Sequence, residues 1–196
     1  MKVLIVPFLI CFCLSANYAQ DFQGFKWEVY DNSNSALGTN YIVDFYIQEN
    51  GTAYVTTNYS KLYYFRDGNF LEIKLPEDLT SVWLNSLTMD EAGRLYICAR
   101  GQILIYDTNR ASWDDSVEIP LFGMYMTRNK AGVILISAHI GDVGSIYELK
   151  DGNFRAIGTG RKDVLGFALA PNGDALVGFR DGFYRFPMLD DGAYGP

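Results

Sequence analysis

The sequence predicts an all-β protein, a β-propeller of about four four-stranded blades, and three observations carry that prediction. Aromatic residues make up 15% of the 196-residue chain, with 14 tyrosines and 13 phenylalanines, and flat side chains favour a pleated surface over a helix. Short alternating or apolar runs are punctuated throughout by Gly, Asn and Asp, with no sustained helical stripe. A turn motif recurs four times at a near-constant interval, and a period of about 40 to 45 residues holding four strands is the pattern of a propeller blade. The 49% hydrophobic and 20% charged content belongs to a folded chain rather than a disordered one.

From the amino terminus, Lys2 is followed by a nearly unbroken apolar run from Val3 to Leu14 and then by small and polar residues ending at Ala19. Residues 1–19 therefore read as a secretory signal peptide, too short in its apolar part for the ~20 residues that span a bilayer. The expected address is periplasmic or extracellular. Cys11 and Cys13 leave with this segment, so the 177-residue mature chain keeps Cys98 alone and forms no internal disulfide. Loss of Lys2 takes the net charge from −7 to −8, which disfavours nucleic acid and anionic lipid as partners.

The propeller domain is expected over residues 20–196, with repeats at about 42–80, 82–120, 122–160 and 164–196. Asn50-Gly51 recurs as Ala92-Gly93, Ala131-Gly132 and Asn172-Gly173, the glycines being 42, 39 and 41 residues apart. Six residues before each glycine stands an apolar residue: Phe45, Leu87, Met126 and Phe167. Three residues after it stands Tyr54, Tyr96, Leu135 or Leu176, then a β-branched residue, then a small one: Thr56, Cys98, Ser137 or Gly178. A tyrosine returns 11 to 15 residues past the glycine as Tyr63, Tyr106, Tyr147 and Tyr184, and Asp67-Gly68-Asn69-Phe70 recurs 84 residues on as Asp151-Gly152-Asn153-Phe154. Two independent turn series share one period.

The first unit supplies four strands and so do the second and third. The fourth runs through 164–170, 175–179 and 183–186, then reaches Asp191-Gly192 without an outer strand. Residues 25–30, Phe25 to Tyr30, stand ahead of the first unit where an outer strand belongs. They are expected to close the last blade, because an unpaired edge strand exposes backbone donors and acceptors.

At these columns the chain resembles the two-component regulator propeller repeat. The first unit carries it best, in Trp27-Glu28-Val29-Tyr30-Asp31-Asn32-Ser33-Asn34-Ser35, Asn40-Tyr41-Ile42-Val43 and Glu49-Asn50-Gly51-Thr52-Ala53-Tyr54-Val55-Thr56-Thr57. In that family the strand after the turn glycine usually reads Trp-Ile-Gly-Thr; here Tyr or Leu stands for the Trp, and Gly178 alone keeps the glycine. The resemblance covers residues 27–186 and implies the periplasmic sensor part of a hybrid histidine kinase. With no kinase or regulator segment, it implies a propeller built for binding without the signalling.

Chemistry-bearing residues are sparse. His139 is the single histidine, and one imidazole makes neither a metal cluster nor a hydrolytic triad; no metal site, cofactor or catalytic residue is expected. Gly158-Thr159-Gly160-Arg161-Lys162 looks like a phosphate cradle but precedes no helix, so it reads as the loop between the third and fourth blades. Loops from second to third strands, and from each outer strand to the next inner one, gather at one end of a propeller. Here they carry Asn58, Tyr59, Arg100, His139, Arg161, Lys162 and Arg180, a cationic and aromatic rim on an acidic protein. The chain thus reads as an exported, non-enzymatic module that meets a glycan, peptide or protein ligand at the channel mouth. Two alternatives stay open: a propeller lyase or hydrolase acting on a glycan or peptide, and a fragment of a larger periplasmic sensor. An eight-blade ring of two chains, a homodimer, is the alternative to a four-blade ring.

Overall fold

The computed structural model describes residues 28–58, 60–79, 81–140, 143–150 and 152–195, with the backbone alone described at 120–124, 139–140, 159 and 162. Contacts divide the chain into residues 1–30 and residues 31–196. The second unit is built on the expected plan. Blade one is β1 (Ile42–Ile47), β2 (Ala53–Thr57), β3 (Lys61–Arg66) and β4 (Asn69–Ile73), paired in that order. A short 3₁₀ turn, Glu77–Leu79, leads to β5 (Leu84–Met89) and β6 (Arg94–Asp107). Beyond these come β7 (Ser112–Trp113), β8 (Val117–Arg128), β9 (Ile134–Ile140), β10 (Val143–Lys150) and β11 (Asn153–Lys162). The last sheet is β12 (Val164–Leu169), β13 (Ala175–Phe179) and β14 (Gly182–Phe186).

Two of these elements do double duty. A straight strand of β6's 14 residues would be ~46 Å long at ~3.3 Å per residue, yet the Thr108 N–H donates to the Gly93 carbonyl at 3.1 Å. The strand doubles back at Gly101, whose φ of +76° suits a two-residue hairpin turn, so β6 is the second and third strand of blade two. In turn, β8 pairs with β6 through Val117 and Glu118 and with β9 from Phe122 to Arg128. It is the outer strand of blade two running on into the inner strand of blade three. The blade boundary expected near residue 121 is thus crossed by one continuous strand, and the two blades share one hydrogen-bonded sheet.

The repeated columns have physical causes. In all four blades the turn glycine has φ between +81° and +93°, and its N–H donates to the carbonyl three residues back: Gln48, Asp90, Asn129 or Ala170. This is a left-handed position that suits glycine. The small column faces a bulge, because each inner strand shifts register there: between Ile42 and Asp44, Leu84 and Leu87, Gly123 and Tyr125, and Val164 and Gly166. Thr56 donates across it to the Asp44 carbonyl at 3.3 Å, and the Ser137 hydroxyl accepts the Tyr125 N–H at 3.0 Å. The third-strand tyrosine packs on an aromatic of the outer strand seven residues on: Tyr63 on Phe70, Tyr106 on Trp113 and Tyr147 on Phe154. That is why Asp-Gly-Asn-Phe returns. Among the described residues Tyr184 has no such partner, and it packs on Phe179.

The cores lie between blades. Tyr54, Leu62 and Ile73 of blade one cluster with Leu87, Met89, Leu95 and Ile97 of blade two. Tyr96, Cys98 and Ile103 meet Met126, Ile134 and Ile136, and Leu135 and Ile146 meet Ala175, Val177 and Phe179. After β14 the chain folds back through a Met188–Tyr194 bridge, and Tyr194 enters the core between blades three and four.

Among the described residues β14 carries no fourth strand. The closing strand expected over Phe25 to Tyr30 lies, for 25–27, outside the described residues, and Glu28–Tyr30 carry no strand. Residues 1–19, expected to be a signal peptide, also lie outside them. Among the described residues no helix is long and apolar enough to cross a membrane.

Candidate functional site

Sheet register gathers part of the expected rim. Arg100 pairs with Phe122, Phe122 with His139, His139 with Gly144, and Gly144 with Arg161. Arg100, His139 and Arg161 therefore occupy one row across five strands, each step ~4.8 Å. Lys162 pairs one position away with Val143. Asn58 and Arg180 lie in the corresponding second-to-third-strand turns of blades one and four, and Tyr59 lies outside the described residues. Two expectations change: His139 stands in β9 rather than in a loop, and Gly158 to Lys162 belong to β11. A Cβ at Gly158 would sit 2.7 Å from the Phe186 ring, so that glycine serves blade-to-blade packing and not a phosphate.

Two rim cations already have partners. The Arg161 guanidinium lies 4.2 Å over the Tyr184 ring, donates to its hydroxyl at 3.0 Å and stands 3.7 Å from Asp181. Arg180 is 2.7 Å from the Asp163 carboxylate, and its N–H donates to the Asp163 carbonyl. Both tie blade four to the strand crossing that precedes it. Exposed pairs of this kind contribute ~0–1 kcal/mol, weak enough for an acidic ligand to compete. Arg100 lines a separate hollow of about 450 Å³ with Gln102 and Glu118.

The larger cavity, about 520 Å³, opens between inner strands and is lined by Asn40, Tyr41, Asp44, Asn85, Ser86 and Tyr125, with Ile42 and Val43 at one edge. Asp44, Ser86 and Tyr125 share one repeat column, seven residues before the turn glycine. The bulge turns that column toward the cavity. Tyr41 and Tyr125 are 64% and 43% exposed, so two ring faces flank two amides. Asp44 accepts the Ser86 hydroxyl at 2.6 Å and the Leu87 N–H at 3.0 Å, while Ser86 Oγ accepts the Met126 N–H at 3.0 Å. This relay joins three inner strands and engages the carboxylate in structure. Nearby, Thr57 Oγ1 and Asn58 Oδ1 are buried without hydrogen-bond partners. Thr57 pairs with Ile42, and the Asn58 N–H donates to the Tyr41 carbonyl at 3.3 Å, so the backbone ties both to residues that line the cavity. Buried polar atoms are rarely left unsatisfied.

The inner-strand residues escaped the sequence reading because their column changes chemistry from blade to blade: Asp44, Ser86, Tyr125, Gly166. The available signal was position, one residue before the apolar column. Among the described residues no three His, Cys, Asp or Glu side chains group as metal ligands. Burial, and then the Asp44 charge, push the Cys98 thiol up to about 12.

No protein-family model matches the chain, and no curated protein does. Solved structures match its fold. The extracellular domain of BT4673, assigned to a hybrid two component system of B. thetaiotaomicron, has a TM-score of 0.66 at 16% identity, over 80% of this chain and 22% of that one. That of BT3049, of the same organism and assignment, has 0.67 at 14%, over 88% and 24%. The WD40 β-propeller domain of Doa1 has 0.60 at 14%, over 74% and 49%. This chain thus spans about a quarter of the two extracellular domains and half of the third protein. At such identities the likeness establishes the fold: a four-blade β-propeller arrangement.

Proposed function

We propose that this chain is an exported, non-enzymatic propeller module of the two-component regulator propeller type, which binds a glycan or peptide at the channel mouth. The observation that carries the reading is the cavity of Asn40, Tyr41, Asn85 and Tyr125, with Asn58 joined to Tyr41 through its backbone N–H. Exposed rings offer stacking faces, and amides offer directed donors and acceptors. Arg100, in the separate hollow with Gln102 and Glu118, offers a cationic donor for an acidic substituent. The extracellular sensor domains that share the fold agree with an interaction role outside the cytoplasm.

The test is a glycan and peptide array on the mature protein, repeated with Tyr41→Ala, Tyr125→Ala, Asn58→Ala and Arg100→Ala. Each of the first three should weaken the captured ligand about tenfold or more, the equivalent of ~1.4 kcal/mol. A ligand that binds all four variants as it binds the parent places the site elsewhere.

A further inference from the structure

The same repeat column is buried in the middle of the blade stack and bare at its start. Phe45 is 60% exposed, whereas its equivalents Leu87 and Met126 are 4% and 7% exposed. Two residues on, Ile47 is 59% exposed and its equivalent Met89 is 4% exposed. Among the described residues no blade packs against Phe45 and Ile47. In each of the three internal junctions the face carrying the Tyr54, Tyr96 or Leu135 column packs on the next blade's face carrying the Leu87, Met126 or Phe167 column. Blade one presents the receiving face, with Phe45 and Ile47 protruding from it. Blade four presents the opposite face, with Leu176 only half-buried and Phe183 71% exposed. On that face Gly166, Ala168, Leu176, Gly178, Phe183 and Arg185 share cross-strand positions, a face of small residues with one raised ring and, at its edge, an Arg185 guanidinium paired with Asp174.

We propose that blade four of one copy seats on blade one of a second copy, and that the reciprocal contact closes a ring of two chains. Both halves of the junction are present on this chain, and each is the column-for-column counterpart of surfaces it packs three times internally. Large side chains on one face meet glycine and alanine on the other, the arrangement that interdigitates. A head-to-tail contact makes a closed ring when its rotation closes. Two copies bring eight blades, the upper end of the ~4–8 found in propellers, and three would exceed it. The area is also sufficient. Phe45 and Ile47, with the half-buried Phe65 and Phe70 around them, offer ~350 Å², and with a blade-four face of like area each chain would bury ~700 Å² over the two junctions, within the range of specific interfaces. Ile42 and Val43, which edge the channel cavity, begin the same strand, so the second copy would wall the cavity on its open side.

The test is sedimentation equilibrium of the mature chain at micromolar concentration. The parent should have twice the mass of one chain. Phe45→Glu with Ile47→Glu, and separately Phe183→Glu, should each weaken association at least a hundredfold. Leu71→Glu, equally exposed but on the other face of blade one, should leave the dimer intact. All four positions are exposed, and unchanged circular dichroism checks that the variants fold. A parent of one-chain mass overturns the proposal, as does an open series of larger species. A dimer broken by the Phe45 and Ile47 changes but untouched by Phe183→Glu would mean that like faces meet, which also overturns it.

Discussion

Tyr194 gives the sharpest test of how this stack is held together at its carboxyl end. Its ring is 1% exposed and lies with Val133, Leu135, Ile146 and Val177 between blades three and four. Its hydroxyl donates to the Gly173 carbonyl at 2.9 Å and accepts from Asn129 Nδ2 at 3.2 Å. Its N–H donates to Glu148 at 3.1 Å, and its carbonyl accepts from Arg155 at 3.0 Å. Tyr194→Phe keeps the ring and removes the hydroxyl. Asn129 retains the Gly192 carbonyl at 2.8 Å, but the Gly173 carbonyl loses its donor, at a cost of about 1.5 kcal/mol. Tyr194→Ala empties the aromatic volume as well, at about 4 kcal/mol. For a domain of this size 1 kcal/mol moves Tm by ~2–4 °C, so the expected falls are roughly 3–6 °C and 8–16 °C. Scanning calorimetry of the mature protein at pH 7 measures both. An alanine variant that melts with the parent would show that the terminal hairpin is not docked between the blades.

Three further outcomes follow from the same packing. Ser86→Ala removes the donor to Asp44 and the acceptor of the Met126 N–H and should cost about 2 kcal/mol, read as a lower urea midpoint; an unchanged midpoint means the relay does not form. Asp174 is held below the usual carboxylate range by the Met188 N–H, then by Asn172 and Arg185, and Asp191 by the Ala193 N–H and then by Lys150. Their contribution is complete above the unfolded value of ~3.9 and is lost as pH falls through the lower folded values. The urea midpoint should therefore hold from neutrality to about pH 4.5 and drop below it, and Asp174→Asn should flatten that drop. Cys98, with its thiol raised to about 12, should resist a thiol reagent in the native protein and react fully in denaturant; prompt native labelling would contradict its burial.

The parts legible in the sequence are those that the backbone enforces. A left-handed turn residue wants glycine in every blade, and an inner-strand bulge wants a small side chain opposite it, so these columns recur and reveal the period. The Tyr63, Tyr106 and Tyr147 column recurs because an outer-strand aromatic stacks on it, and Tyr184, with no outer strand beside it among the described residues, packs on Phe179 instead. Polar residues of the channel obey no such constraint. Asp44, Ser86 and Tyr125 fill one geometric position with three chemistries, so neither composition nor spacing marks them. The rim was legible only in part for a related reason: Arg161 and Arg180 look free in a sequence, but Tyr184, Asp181 and Asp163 come to them only through the fold. Exposure is the property least readable of all. Phe45 and Leu87 are equivalent in the repeat and opposite in environment, because burial belongs to the junction and not to the residue. In this column Leu87 and Met126 are buried and Phe167 half-buried against a preceding blade, while Phe45 is bare, and a bare face of that kind is where a further blade would dock.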